Sequence, residues 1–399
     1  MKILLVSTQD YLHHPVPSRH HNLFEILATR HEVHVPHFHV SRGEERPTRL
    51  TVHEATRYPW GGPFLHYTVN APYQFHILEQ IVRDNRIDVV VAAHVLAGMG
   101  AIRAARRHHV PVLFDLKDWF PDSAAAYYSS RPVRWVIRNG VWAVTRYNLS
   151  RSDRITTVSP SLVRKLAGHG FSSALITNGV DTDLFRPMDG GETRDRLGIP
   201  RDAFVLGFAG SVERWYALDR VVEALPVLIA HRPDTRLLIV GGSLFTSFSR
   251  ELAERAAALG LADRVIFTGP RPYGDLPGYI AAMDLCLMPL APPGWMDIAL
   301  PNKYFEYSAC GKPILSTPIP DVMALGGPHL SYYRTDAEML DRIRDAMDHP
   351  AVYRLDFEAH SWKRKAAEME GLLQSLAGEQ PESGDMPAEE RSPAHPNHL

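Results

Sequence analysis

Residues 299–313 read Ala-Leu-Pro-Asn-Lys-Tyr-Phe-Glu-Tyr-Ser-Ala-Cys-Gly-Lys-Pro. Pro301 suits the first turn of a helix, where its missing N–H leaves no bond unmade. Gly311 suits the left-handed position that stops a helix, and Pro313 bars continuation. The stretch predicts a helix of about two and a half turns. Its start offers unbonded N–H groups and a positive dipole end, which together attract phosphate. Lys303 adds a point charge in the first turn. Glu306, one turn further on, is placed to accept two hydrogen bonds from a cis-diol such as a ribose. A diphosphate at the tip with a ribose beside it describes a nucleotide diphosphate lying on a helix end. The alternative is an ordinarily capped helix with a surface Lys–Glu pair at i,i+3.

Outward from this helix, short β-branched runs alternate with helical stretches, the pattern of parallel βαβ construction. Candidate strands are 2–7, 31–38, 87–93, 110–116, 154–159 and 174–180 in the first half. In the second half they are 204–210, 235–242, 264–269, 284–290, 313–317 and 329–333. Runs such as Asp88-Val89-Val90-Val91-Ala92-Ala93 are continuously apolar, as expected of strands covered on both faces. In 219–230, Val221, Val222, Leu225, Leu228 and Ile229 recur at helical spacing. The expected architecture is α/β, with two Rossmann-like, doubly wound parallel-sheet domains facing a central cleft. Ligands of such sheets bind beyond the carboxyl ends of the strands. The expected divisions are a domain over 1–180, a linker over 181–202 rich in Asp, Gly, Arg and Pro, and a second domain over 203–357. A helix over 358–377 returns to the first domain. The polar, proline-punctuated stretch 378–399 is expected to be a disordered tail.

Composition narrows the function. The 399 residues hold 43 Lys+Arg against 45 Asp+Glu, a formal net charge of −2. That balance removes the basic excess a general nucleic-acid binder needs. Cys286 and Cys310 are too few for a disulfide framework, which points to a reducing compartment. The apolar run at the N-terminus is short for a signal peptide, and no window approaches the ~18–20 apolar residues of a membrane span. The expectation is a soluble, cytoplasmic protein.

Several motifs now fall in one order. They are Thr156-Thr157-Val158-Ser159, Asn178-Gly179-Val180-Asp181 with Phe185 and Pro187, and Gly210-Ser211-Val212-Glu213-Arg214 with Leu218-Asp219. After these come Val265-Ile266-Phe267-Thr268-Gly269, Asp275-Leu276-Pro277, Asp284, the segment from Leu300 to Tyr307 followed by Gly311-Lys312-Pro313, and Ser361-Trp362. Together they resemble the family 4 retaining glycosyltransferases, in particular the subgroup that builds cell-surface polysaccharide and lipopolysaccharide. The resemblance covers roughly residues 1–375. It implies the GT-B fold, with a nucleotide-sugar donor, UDP-linked by family habit, held by the C-terminal domain. A glycan or lipid-linked acceptor would be met by the N-terminal domain. Anomeric configuration would be retained without an obligatory metal, and no cofactor is implied beyond the donor. The resemblance makes Glu306 the ribose contact, and places Leu300, Pro301, Asn302, Lys303, Arg214, Gly210 and Pro270 with the donor.

The sequence departs from the family pattern in places. Many members carry two glutamates eight apart; counting back from Glu306 lands on Ile298, with Asp297 adjacent as a substitute sugar contact. The usual Arg after the glycine is Ser211, so Arg214 and Lys303 are left to supply the cations. In the other domain, the apolar run Pro111 to Leu116 leads into Lys117-Asp118, where the family often has His followed by Asp. Fixed opposite charges stabilise both the positive anomeric carbon and the departing phosphate, so Asp118 and Lys117 are the catalytic candidates. A capping Asp beside a salt-bridged Lys is the alternative. His94 and Arg19 are further candidates for sugar, phosphate or acceptor, His94 equally readable as a bystander at a helix start.

The chain holds 21 histidines, several within 13–39. Zinc needs four placed ligands, or three plus water. His37-Phe38-His39 puts two imidazoles on one strand face, but no carboxylate or Cys pattern joins them, and no metal is expected. In 131–147, Val133, Ile137, Val141 and Val144 fall on one helix side and Arg131, Trp135, Arg138, Trp142 and Arg146 on the other. The aliphatic side is expected to dock, and the Arg–Trp side to meet an anionic membrane surface peripherally or to form cation–π pairs in water. Two other functions stay open: a nucleotide-sugar 2-epimerase on a similar fold, and a non-catalytic nucleotide-sugar-binding partner protein.

Overall fold

The structure, a computed structural model, describes residues 1–14, 16–40, 43–58, 63–126, 128–244, 246–290, 298 and 300–378. Two parallel sheets carry the fold. The first comprises β1 (Lys2–Val6), β2 (Glu32–His37), β3 (Thr51–Glu54), β4 (Val89–Ala92), β5 (Val112–Leu116), β6 (Arg154–Thr157) and β7 (Ala174–Leu175). Its spatial order is β3-β2-β1-β4-β5-β6-β7. The second comprises β8 (Val205–Ala209), β9 (Arg236–Val240), β10 (Val265–Phe267), β11 (Leu285–Met288), β12 (Ile314–Ser316) and β13 (Leu330–Tyr332), in the order β10-β9-β8-β11-β12-β13. Each order reverses direction beside its first strand, β1 or β8, which opens a crevice at the carboxyl ends of the strands.

The expected α/β, GT-B arrangement of two doubly wound domains is present. Every strand pair is parallel, with register such as Ile3 opposite Val89 and Leu206 opposite Leu237. Continuous apolar strands are buried throughout, as in Val89–Ala92, because helices cover both faces. The helix Leu218–His231 buries Leu218, Val221, Val222, Leu225 and Leu228 against the second sheet, the stripe its spacing predicts.

Three differences from the sequence reading have local causes. β3 is an unpredicted edge strand; its Thr51-Val52-His53-Glu54 alternation is too short and too exposed to stand out. The run 174–180 pairs only at 174–175, since its later backbone groups bond elsewhere. The Thr177 carbonyl takes Arg19 Nη1 at 2.8 Å, and Val180 N–H donates to the His360 carbonyl at 3.0 Å. Trp362 N–H returns to the Val180 carbonyl at 3.0 Å, so the outward and returning crossings lie side by side. Finally, 181–202 contains the short helix Gly191–Arg196, and Phe185 and Ile199 are buried in the core of the second domain. The helix Trp362–Ala377 buries Trp362, Ala366, Met369 and Leu373 among Ile3, Leu5, Leu23 and Phe24 of the first domain. The stretch expected to be a disordered tail, beyond Gly378, lies outside the described residues.

The helix Arg131–Ser150 departs from its expected facing at Val133 and Trp142. Its second half docks, with Trp142 packed against Trp119 (5.1 Å between centroids) and His169 (4.4 Å). The first half projects past the domain, so Val133 and Val136 are exposed along with Trp135. In the second half the sides still differ around the axis, with Ile137, Val141 and Val144 half-buried and Arg138 and Arg146 exposed, whereas over 131–136 neither side is covered. No helix among the described residues is long and apolar enough to cross a membrane.

Candidate active site

The carboxyl edges of the two sheets face one another across a cleft of about 560 Å³. Its first wall is Gln9, His14 and Val16 to Arg19 after β1, together with Lys117 and Asp118 beyond β5. Its second wall is Ala209 at the end of β8, Gly210 and Ser211 beyond it, Tyr216, Tyr273, Leu300 and Pro301, and Asn302, Lys303 and Glu306 of the helix Asn302–Ala309. Hydrogen bonds between the domains hold the walls in register. Ser159 Oγ donates to the Ile298 carbonyl at 2.8 Å, Asn178 Nδ2 donates to the Leu300 carbonyl at 3.0 Å, and Asp321 accepts the Ser161 amide and hydroxyl.

The helix itself starts at Asn302, with Pro301 extended as its N-cap (φ −66°, ψ 140°) rather than inside the first turn. It closes where the sequence predicts, with Gly311 left-handed at φ +70°. Asn302 Oδ1 is buried at the helix start without a hydrogen-bond partner among the described residues. Lys303 is only 9% exposed, and its ammonium lies 4.4 Å from the centre of the Tyr216 ring and 4.9 Å from that of Phe208. It donates to the Tyr216 hydroxyl at 3.2 Å. Aromatic faces stabilise a cation without neutralising it, which leaves its charge for an anion in the cleft. Gly210, at φ +139°, has no Cβ to block that ammonium, which stands 2.2 Å from where one would be.

Glu306 is 8% exposed and one of its oxygens accepts the Tyr273 hydroxyl at 3.0 Å. Burial pushes its carboxyl above the usual range, against the pull of the Lys303 charge and the Tyr273 bond. Tyr307, one residue on, lies on the core side. It receives the Ala209 amide at 2.8 Å and so ties the helix to the end of β8.

On the opposite wall, Lys117 Nζ lies 3.8 Å from Asp118 Oδ2, both partly exposed to the cleft. Arg19 also lines the cleft, but its guanidinium is engaged behind it, by Asp115 at 3.0 Å and by the Thr177 carbonyl. Asp115 is fully buried and also bonds His20 Nε2 (3.0 Å) and the Thr156 hydroxyl (2.8 Å). Burial pushes its carboxyl up, but the Arg19 charge and the bonds from His20 and Arg19 outweigh this and hold it well below the usual carboxylate range.

The remaining candidates sit elsewhere. His94 caps the helix Val95–Arg107, its Nδ1 accepting the Leu96 and Ala97 amides at 3.1 Å each. Burial lowers its pKa to about 4, and its ring packs on Tyr67 rather than lining the cleft. Arg214 points outward, paired with Glu251 and stacked over Phe248 at 5.1 Å. Pro270 follows β10 against Gly242, outside the cleft lining. Asp297 lies outside the described residues. Tyr216 and Tyr273 are the site residues missed as functional groups. Their phenols reach Lys303 and Glu306 across separations of 87 and 33 residues, with no local sequence signal.

Comparison with known proteins adds an independent line. The profile described as Glycosyltransferase Family 4 matches residues 20–184, and that described as Glycosyl transferases group 1 matches residues 203–348. One match falls on each domain. The chain belongs to the family 4 glycosyltransferases.

Within this family it is similar to a D-inositol 3-phosphate glycosyltransferase of Thermobispora bispora, 34% identical over 151 residues. That alignment covers 36% of this chain and 34% of the relative, so the match spans about a third of the relative's length. Among solved structures, sucrose-phosphate synthase from Thermosynechococcus elongatus shares the fold with a TM-score of 0.77 at 18% identity, covering 94% of this chain and 99% of that one. HepE of Anabaena, solved with UDP-glucose, superposes with a TM-score of 0.64 at 18% identity over 94% and 95% of the two chains.

Proposed function

We propose that this family 4 chain transfers a sugar from a nucleotide diphosphate sugar, UDP-linked, to a glycan or lipid-linked acceptor with retention of configuration, in the synthesis of cell-surface polysaccharide. The observation that carries the reading is the pairing of Glu306 with Lys303 on one short helix at the cleft. A buried carboxylate, steadied by Tyr273, suits the two hydroxyls of a ribose. A caged ammonium beside Gly210 suits the diphosphate. The UDP-glucose bound in the similarly folded HepE supports a uridine donor.

In this reading the helix tip and Lys303 hold the diphosphate as its charge grows on departure. Lys117 and Asp118, facing it across the cleft, act on the sugar and acceptor, and fixed charges there need no reorganisation as charge develops. The leaving phosphate helps deprotonate the acceptor on the same face of the sugar. The projecting half of the helix Arg131–Ser150, with Trp135 67% exposed among Arg131 and Arg134, suits a peripheral contact with anionic lipid at the inner membrane face.

A thermal-shift screen of the full chain against nucleotide sugars tests the donor, because a ligand that binds only the folded state raises the midpoint by mass action. A selective shift with one UDP-sugar, followed by its turnover on addition of acceptor, is expected. An epimerised donor formed without acceptor would support the 2-epimerase instead, and binding without turnover the non-catalytic partner. Lys117→Ala and Asp118→Asn are expected to keep donor binding and lower turnover by about 10²–10³-fold, the scale of losing one preorganised charge.

A further inference from the structure

On the carboxyl edge of the first sheet, at the far end of the β1 loop, three histidines and two carboxylates meet. Asp10 and His13 lie in that loop, His37 ends β2, His39 follows it, and Glu54 ends β3. His13 Nδ1 is 3.1 Å from His37 Nε2, and Asp10 Oδ1 is 3.5 Å from each of those nitrogens. Ligand atoms bound about 2.0–2.1 Å from one tetrahedral zinc lie about 3.3 Å from one another. The three atoms therefore trace one face of such a tetrahedron, edge by edge.

The groups behind them are arranged to hold that face. Asp10 Oδ1 accepts the amides of Leu12 (3.2 Å) and His13 (3.1 Å), and Oδ2 that of Val40 (3.0 Å). Glu54 Oε1 stands 3.1 Å from His37 Nδ1, and its other oxygen bonds His39 Nε2 at 2.5 Å. A carboxylate behind an imidazole fixes the proton on that nitrogen and aims the lone pair of the other one. With Nδ1–H given to Glu54, His37 Nε2 is bare and directed at the same point as His13 and Asp10. A proton on His13 Nδ1 satisfies one of these contacts at a time, whereas a cation satisfies all three. Asp10 and His37 are buried, and His13 is partly open to solvent, which gives an ion a way in.

We propose that Asp10, His13 and His37 bind one divalent transition-metal ion, zinc, with Glu54 as the outer partner of His37. Two imidazoles and a carboxylate with a fourth position left to water suit zinc. The carboxylates come from elements far apart in sequence, which is why His37-Phe38-His39 alone gave no metal pattern. The ion would clip the loop after β1 to β2. Beyond His13 that loop supplies His14, Val16, Pro17 and Ser18 to the cleft, so occupancy sets the order of the wall opposite the donor helix.

The test uses the full chain, stripped with a chelator and desalted. Zn²⁺ is titrated by calorimetry, and Co²⁺ is followed by its visible absorption. Expected are one equivalent of Zn²⁺ per chain and the intense bands of tetrahedral Co²⁺. Affinity should fall at least tenfold in His37→Gln and His13→Gln, and stay unchanged in His53→Gln, whose ring pairs instead with His34 at 2.9 Å. Circular dichroism reports folding; where His37→Gln does not fold, His13→Gln, in a partly exposed loop, decides alone. A wild-type chain that takes up no stoichiometric Zn²⁺, or a His13→Gln chain that binds it as tightly as wild type, overturns the proposal.

Discussion

Tyr273 and Glu306 meet hydroxyl to carboxylate at 3.0 Å, joining the segment after β10 to the helix that begins at Asn302. The bond steadies a carboxyl that burial makes reluctant to ionise. A carboxyl more basic in the folded than in the unfolded chain favours the fold while protonated. That advantage is lost as pH rises from the ordinary carboxylate range through the raised folded value. At neutral pH Glu306 therefore weighs against stability, as a carboxylate kept for the proposed ribose contact would. Glu306→Gln is expected to raise the melting temperature at pH 7.5, with the gap from wild type closing as pH falls toward about 4. The same variant is expected to bind UDP about 10–100-fold more weakly, the loss of one charge-assisted hydrogen bond. Scanning calorimetry across pH and UDP titration check the two halves separately.

How much of this was legible beforehand depends on the range of the interaction. Gly311 stops the helix Asn302–Ala309 as read, because a left-handed stop is a local property of one residue. The apolar runs at 89–92 and 237–240 are strands because covering both faces demands continuous apolar character. Lys303 and Glu306 reach the cleft together because one turn of helix fixes their spacing. Long-range pairings were opaque. Nothing in Arg214 itself reveals that Glu251 draws it outward, and nothing in Arg19 reveals Asp115, 96 residues away. The expected facing of the helix Arg131–Ser150 holds at Ile137, Val141 and Val144 and fails at Val133 and Trp142 for a related reason. Periodicity assigns sides to a helix but not how much of its length has anything to pack against.

Arg19 illustrates the consequence. It borders the cleft, yet its guanidinium holds the buried Asp115, and truncating it leaves a carboxylate without its charge partner. Arg19→Met is expected to cost about 3–5 kcal/mol of unfolding free energy, the scale of an uncompensated buried charge. Because Asp115 is held below its unfolded value, the network stabilises the fold above the ordinary carboxylate range, and this is lost as pH falls toward the lower folded value. Urea denaturation at pH 7 and at successively lower pH is expected to show the wild-type advantage over Arg19→Met shrinking with acid. A pH-independent gap counts against the ion network.

The two tryptophans of the helix Arg131–Ser150 are expected to separate stability from surface binding. Trp142 packs on Trp119 and His169 but is only half-buried, so Trp142→Ala should cost about 1–3 kcal/mol, below the ~3–5 kcal/mol of a fully buried ring. Trp135→Ala should lie within about ±0.5 kcal/mol, as for exposed positions. In vesicle sedimentation the wild type should favour anionic over neutral lipid, and Trp135→Ala should weaken that binding. Equal binding to both lipids, or none, removes the membrane contact.

Gly210 and Lys303 form a close constraint on the second wall of the cleft. A methyl at 210 would sit 2.2 Å from the Lys303 ammonium, on a backbone at φ +139° that side chains rarely adopt. Gly210→Ala must therefore displace the lysine from its aromatic seat, strain the end of β8, or both. Strain of this kind costs about 1–3 kcal/mol. If the lysine moves, the diphosphate loses its cation, and UDP affinity should fall about tenfold or more. Lys303→Ala should produce a similar loss without the backbone strain. The two changes then act on one contact, so the double variant should lose little more affinity than either single one, whereas independent sites would add. A thermodynamic cycle of UDP binding over the four proteins measures this directly, and full additivity would show that Gly210 serves the ligand by some route other than making room for Lys303.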